Sequence, residues 1–264
     1  MNVIIIAVIS VTAIGIICAV ILNVASKLMY VKIDERIAQL SEILPGINCG
    51  VCGYPGCSAY ADALISGENV KPNLCTPGGV EALAKISSIL GIEAGTIEQK
   101  IAVVSCSGDR ISRQKKMAYS GIQTCEAASP LFGGENACSF GCLGYGDCQR
   151  VCPNGAICME SGLARISPHL CIGCALCVKT CPHKLISVEK KDDFPIIVAC
   201  KNTEKGAIVR KKCTNGCIAC TKCLKVCPDE AIVIENNLAK ISYTKCSGCK
   251  KCAEVCVAKC IEVV

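Results

Sequence analysis

Tryptophan is absent from the 264 residues, aromatic side chains make up 3% of them, and only two histidines occur. A core packed from large rings is therefore excluded. No G-x-G-x-x-G follows a strand-like run and no Walker loop is present, so the chain shows no fingerprint for binding a dinucleotide or a nucleoside triphosphate. Charge is missing from Met1 to Ser26. What the chain has in excess is cysteine, with 27.

So many cysteines raise a disulfide scaffold first. The count is odd, most fall in short runs spaced by two or three residues, and several precede proline, whereas disulfide partners are spread along a chain. Structural zinc is next, but zinc sites come as two C-x2-C pairs separated by a loop. Here the pairs overlap into triplets. A C-x2-C-x2-C-x3-C-P run suits a 4Fe–4S cube, in which three close thiolates hold one cluster and the fourth serves its neighbour.

The formal charge of +6 counts every cysteine as neutral. About twenty thiolates around about five cores of formal charge 2+ would turn it to roughly −4. A nucleic-acid partner is not implied, and the lysines read as local counter-charge to clusters.

Val3 to Val24 is almost wholly apolar, long enough for the roughly 20 residues a membrane span requires. No basic residue precedes it and no small-residue cleavage site follows, which argues for a retained anchor over a signal peptide. Lys27, Lys32 and Arg36 come after the span, so the positive-inside rule puts the rest of the chain on the cytoplasmic side of the cell membrane, as a single-pass protein. Cys18 within the span reads as an inert small apolar residue. Asp34 to Leu44 fits a short amphipathic helix.

Three cysteine regions follow. The first holds Cys49, Cys52, Cys57 and, eighteen positions on, Cys75. These form one self-contained site, with Gly50, Gly53 and Gly56 letting the backbone approach inorganic sulfide. Gly79 to Leu90 has an apolar helical pattern that packs this small domain.

The second and third regions are copies. A shift of 75 residues superimposes Cys138, Cys142, Cys148, Cys152, Cys171, Cys174, Cys177 and Cys181 on Cys213, Cys217, Cys223, Cys227, Cys246, Cys249, Cys252 and Cys256. Eight ungapped coincidences imply duplication. Leu163–Ile166 and Leu238–Ile241, preceded by Ser161-Gly162 and Asn236-Asn237, predict a β-hairpin between the cluster loops of each copy.

In the last copy, Cys217, Cys220 and Cys223 should hold one cluster with Cys256, and Cys246, Cys249 and Cys252 another with Cys227. The crossing resembles that of a two-cluster ferredoxin, although Val257 stands where proline is usual. In the middle copy Tyr145 takes the place of Cys220. Cys138 is the substitute the spacing offers, giving Cys138, Cys142 and Cys148 with Cys181, beside Cys171, Cys174 and Cys177 with Cys152. A three-iron cluster or an empty site is the other reading. Cys106, Cys125, Cys158, Cys200, Cys213 and Cys260 remain as ordinary thiols, although Cys125 and Cys200 also obey the shift. His169 and His183 read as loop residues without a redox role.

The order of parts resembles the B subunit of the Rnf complex, a membrane-bound ferredoxin:NAD oxidoreductase that couples electron transfer to ion pumping. The likeness rests on the anchor, on Asn48-Cys-Gly-Val-Cys-Gly-Tyr-Pro-Gly-Cys57 with Cys75, and on Ala137-Cys-Ser-Phe-Gly-Cys-Leu-Gly-Tyr-Gly-Asp-Cys148. The C-x3-C-x5-C-x3-C spacing of the last differs from ordinary ferredoxins and accounts for Tyr145. The extra C-terminal copy resembles the family's longer forms.

The resemblance implies that reduced ferredoxin delivers electrons to this chain, which passes them to membrane and flavin-bearing subunits. The translocase activity belongs to the complex, with no catalytic acid, base or NAD site here. The alternatives are the related complex that reduces a redox-sensing transcription regulator, and a subunit of a soluble dehydrogenase.

The expected fold is α+β. It divides into an anchor (1–26), a connector (27–45), a single-cluster domain (46–100), a linker (101–137) and two ferredoxin-like two-cluster modules (138–195 and 196–264).

Overall fold

A computed structural model describes residues 2–28, 34–67, 69–191 and 196–263. The chain starts with a 27-residue helix, α1 (Asn2–Leu28), whose stretch Ile5–Lys27 is long and apolar enough to cross a membrane. Its isoleucines and valines from Ile5 to Val24 are exposed, so nothing among the described residues covers them. Lys32, counted in the charge asymmetry, lies outside the described residues.

The small domain that follows is helical. Asp34 caps α2 (Glu35–Ile43) by accepting the Arg36 N–H at 2.9 Å, which satisfies one of the helix's free donors. Helix α3 (Cys57–Ser66), two 3-10 turns (Pro72–Leu74 and Thr76–Gly78) and α4 (Gly79–Leu90) complete it. Leu40, Leu44, Tyr60, Leu64 and Ile86 interlock as its apolar core. Tyr60 is fully enclosed, and its hydroxyl donates to the Lys71 carbonyl at 2.8 Å.

Two modules of one topology make up the rest. The first contains β1 (Lys100–Val104), α5 (Cys125–Ala128), α6 (Asp147–Arg150), β2 (Ile157–Glu160), β3 (Leu163–Ile166), α7 (Leu176–Thr180) and β4 (Ile186–Lys190). The second contains β5 (Ile196–Val198), α8 (Gly206–Lys212), α9 (Lys222–Val226), β6 (Ile232–Glu235), β7 (Leu238–Ile241), α10 (Lys251–Glu254) and β8 (Ile261–Val263). In each, the middle strands form a hairpin and the outer strands pair antiparallel, β1 with β4 and β5 with β8. The architecture is α+β.

The 75-residue shift recurs in the backbone. Helices α6, α7, α9 and α10 each leave a left-handed residue: Gly146 and Thr221 form one equivalent pair, Ala175 and Lys250 the other. The hairpin turns use Ser161-Gly162 and Asn236-Asn237, all with positive φ. Two consecutive left-handed residues match the twist of a tight hairpin, and the asparagines tolerate that conformation as glycine does.

One boundary differs from the sequence reading, which ends the single-cluster domain at Lys100 and opens a linker there. Residues 100–104 form β1 and complete the first module. Their partner strand is more than 80 residues away, so no local pattern announces the pairing. The modules meet along Ile101, Val103, Ile197 and Ala199, which share a buried apolar contact. An Arg165–Glu262 ion pair at 2.7 Å adds to that seam.

Candidate metal centres

Asn48 sets up the first site. Its backbone is left-handed, and its side-chain oxygen accepts the Cys57 N–H at 2.8 Å, where α3 has no cap of its own. Gly50, at φ +74°, turns the loop so that Cys49, Cys52 and Cys57 face Cys75, which sits between the two 3-10 turns. Burial first, then repulsion from Cys57, Cys52 and Cys49, pushes the Cys75 thiol up to about 11. A thiol so placed loses its proton only when a cation compensates the charge.

Cys152, Cys171, Cys174 and Cys177 line one cavity, as their spacing predicts. Cys152 Sγ accepts the Ala156 N–H, and Cys171 Sγ the Ala102 N–H from β1, both at 3.3 Å. Hydrogen bonds of this type help set cluster potentials. Burial, followed by the neighbouring cysteines, raises Cys177 to about 12. The first site lies alongside: Lys179 Nζ donates to the Cys49 carbonyl at 2.7 Å.

The irregular site is built differently from the sequence reading. Cys125, Cys142, Cys148 and Cys181 line one cavity. Cys138 instead lines a separate cavity with Cys106, Cys200 and Cys213. The physical cause is Asp147, only 8% exposed. Its carboxylate accepts the Cys125 N–H at 2.9 Å and the Glu126 N–H at 3.0 Å, fastening the start of α5 to the start of α6 beside Cys148. Thr124 caps the same turn through the Ala127 N–H at 3.1 Å. Tyr145, in place of a cysteine, packs at a tilt against Tyr119 with ring centroids 5.9 Å apart. His183 lines this cavity and contacts the Gly141 carbonyl through Nδ1 at 2.7 Å.

In the second module Cys217, Cys220, Cys223 and Cys256 line one cavity, joined by Cys260. Cys260 Sγ lies 3.6 Å from Cys256 Sγ, and its thiol lowers Cys256 and Cys217 by hydrogen bonding. Cys227, Cys246, Cys249 and Cys252 stand where the shift places the counterparts of Cys152, Cys171, Cys174 and Cys177. Cys227 Sγ accepts the Ala231 N–H at 3.3 Å, repeating the Cys152 contact, and Cys252 is raised by burial and then by Cys246 and Cys249 among its neighbours. Cys18 and Cys158 are exposed and join none of these groups.

The quartets fit iron–sulfur cubes better than single ions. Tetrahedral zinc at 2.3 Å from sulfur draws four thiolates to within about 4 Å of each other. Among the described residues, no three cysteine, histidine or acidic side chains converge on one ion. In three of the quartets all four cysteines line one shared cavity instead.

Two family models match, one described as an Fe-S cluster over residues 44–77 and one as a 4Fe-4S dicluster domain over residues 170–232. The chain is 39% identical to the B subunit of the Na(+)-translocating ferredoxin:NAD(+) oxidoreductase complex of Acetobacterium woodii, covering 94% of this chain and 74% of that one. It is 38% identical to the proton-translocating counterpart of Clostridium ljungdahlii, covering 98% and 91%. With the B subunit of the ion-translocating oxidoreductase complex of Methanosarcina acetivorans it shares 34% identity over 94% of both chains. The chain belongs to the B-subunit family of the ion-translocating ferredoxin:NAD(+) oxidoreductase, or Rnf, complexes, the iron–sulfur electron-transfer subunits of those assemblies.

Proposed function

We propose that this chain takes electrons from reduced ferredoxin on the cytoplasmic side of the membrane and relays them to the other subunits of an Rnf complex. Its ligand sets are Cys49/Cys52/Cys57/Cys75, Cys152/Cys171/Cys174/Cys177, Cys125/Cys142/Cys148/Cys181, Cys217/Cys220/Cys223/Cys256 and Cys227/Cys246/Cys249/Cys252. When bound, each 4Fe–4S cluster supplies a one-electron carrier whose potential depends on net charge, hydrogen bonds to sulfur and solvent exposure.

The observation that carries the reading is the clustering of cysteines from distant segments around shared cavities. The protein's own contribution is positional. Backbone N–H groups face the thiols of Cys152, Cys171, Cys181 and Cys227. Apolar residues such as Ile157, Ala164 and Ile186 in one module, and Ile232, Ala239 and Ile261 in the other, pack against the buried ligands. No acid, base or nucleophile is required of the chain.

Helix α1 supplies the anchor, and its described span contains no ionisable side chain apart from Lys27 at its end and the thiol of Cys18. An ion path is therefore assigned to other subunits. Two relatives of nearly equal identity are named for different ions, which fits a relay chain that does not select the ion.

Anaerobic mixing of the detergent-solubilised chain with reduced ferredoxin tests the donor. Rapid bleaching of the cluster absorbance is expected. Bleaching by dithionite but not by ferredoxin would remove ferredoxin as donor.

A further inference from the structure

Cys106, Cys138, Cys200 and Cys213 belong to none of the five sets, yet all four line one cavity, as the quartets at Cys152 and Cys125 do. We propose that these four cysteines hold a sixth 4Fe–4S cluster at the seam between the two ferredoxin-like modules. The proposal rests on the reading that the other quartets hold cubes.

Each module contributes an equivalent pair. Cys106 lies two residues past β1, and Cys200 two residues past β5. Cys106 Sγ accepts the Cys142 N–H at 3.4 Å, and Cys200 Sγ accepts the Cys217 N–H at 3.4 Å, with the donors themselves 75 residues apart. Cys138 and Cys213 are the other equivalent pair under the same shift. Each module thus supplies two of the four thiols from equivalent places in its fold, which four unrelated thiols would not show.

The thiols carry the contacts seen at the other ligands. N–H donors at 3.3–3.4 Å face Cys152, Cys171, Cys181 and Cys227, and the same geometry recurs at Cys106 and Cys200. Cys138 Sγ accepts from Asn202 Nδ2 at 3.5 Å, and Asn202 is 1% exposed. A Cβ added at Gly108 would stand 3.1 Å from Cys213 Sγ and 3.8 Å from Cys106 Sγ, so two sulfurs from different modules converge on a position kept free of a side chain.

Charge and packing agree. Four thiolates around a core of formal charge 2+ leave about −2, and Arg113 and Lys201 line the cavity. Arg113 is 8% exposed; its guanidinium donates to the Cys142 and Gly162 carbonyls. The walls are laced across the seam: Ser107 Oγ donates to the Ala199 carbonyl at 3.1 Å, Asn215 Nδ2 to the Ser107 carbonyl at 3.0 Å, and the Thr214 N–H to the Ser112 carbonyl at 2.8 Å. The Cys142 and Cys217 contacts put this site between the Cys125 quartet and the Cys217 quartet. It joins the relays of the two modules into one row.

The test is native mass spectrometry and iron and acid-labile sulfide analysis of the anaerobically purified full chain and its Cys106→Ala and Cys213→Ala variants. The expected result is about 24 iron in the unmodified chain, with each variant losing about four and keeping the reduced-cluster signals of the rest. About 20 iron, unchanged in both variants, overturns the sixth site while leaving the electron relay intact. Zinc in the unmodified chain that the variants lose also overturns it, as does a full 24 iron in either variant. If a variant fails to fold, the native mass of the unmodified chain decides between six cubes and five. Near-zero iron in that chain would instead remove the relay itself.

Discussion

Asp147→Ala isolates the contact that brings Cys125 to its cavity. The carboxylate satisfies two amides, one buried at Cys125 and one partly buried at Glu126, at 2.9 and 3.0 Å. Hydrogen bonds to a charged acceptor contribute about 1.5–3 kcal/mol each, and leaving buried donors unpaired costs a similar amount. The Arg150 pair at 2.5 Å adds little, because the arginine is 54% exposed and such pairs contribute about 0–1 kcal/mol. A local loss of about 3 kcal/mol is the conservative total, which corresponds to about a hundredfold more frequent opening of α5. Hydrogen exchange followed by mass spectrometry over residues 119–134 should show amides exchanging about a hundredfold faster, and the variant should lose about four iron. Unchanged exchange with full iron would refute the role given to Asp147. Asp147→Asn, which keeps one acceptor oxygen, should fall between.

Cys125→Ala should lose about four iron, whereas Tyr145→Cys should be tolerated, both read by iron and sulfide analysis. Removing Asn48 by Asn48→Ala strips the acceptor from the Cys57 N–H; a destabilisation of about 1 kcal/mol is expected, with altered spectra confined to the first site. Stripping all iron with chelator under reducing conditions should unfold the two modules, whose buried clusters include Cys148, Cys177, Cys217, Cys223 and Cys252. The helical signal of α2–α4 should persist, because Leu40, Tyr60, Leu64 and Ile86 give it an apolar core; circular dichroism separates the two. In right-side-out vesicles, external protease should leave residues 34–263 intact, and in inverted vesicles it should remove them; the reverse pattern would contradict the cytoplasmic placement.

Local signals carry most of the fold. The helix over Gly79–Leu90 is legible from its apolar spacing, and both hairpins from two turn residues before Leu163 and Leu238. Quartets built on a C-x2-C-x2-C run are legible for the same reason, since three ligands lie within one loop. Cys125 is not, because it is 23 residues from Cys148 and is held beside it by the Asp147 bridge and by packing against Leu143 and Tyr145.

Cys106 and Cys200 escape for a related reason. Each follows an outer strand whose partner lies far along the chain. The Cys106–Cys138 separation is 32 positions, against 13 for Cys200–Cys213, so the 75-residue shift matches Cys200 with Cys125 instead of with its structural counterpart. The additional length in the first module is what supplies Cys125, the thiol that Tyr145 withdraws.

Iron and acid-labile sulfide, measured on the anaerobically purified chain together with electron paramagnetic resonance of the dithionite-reduced sample, test the central claim most directly. At least about 20 iron with matching sulfide is expected, together with the magnetically interacting signals of neighbouring reduced cubes. Little iron, with the cysteines occupied by zinc or paired as disulfides in freshly isolated protein, would contradict it.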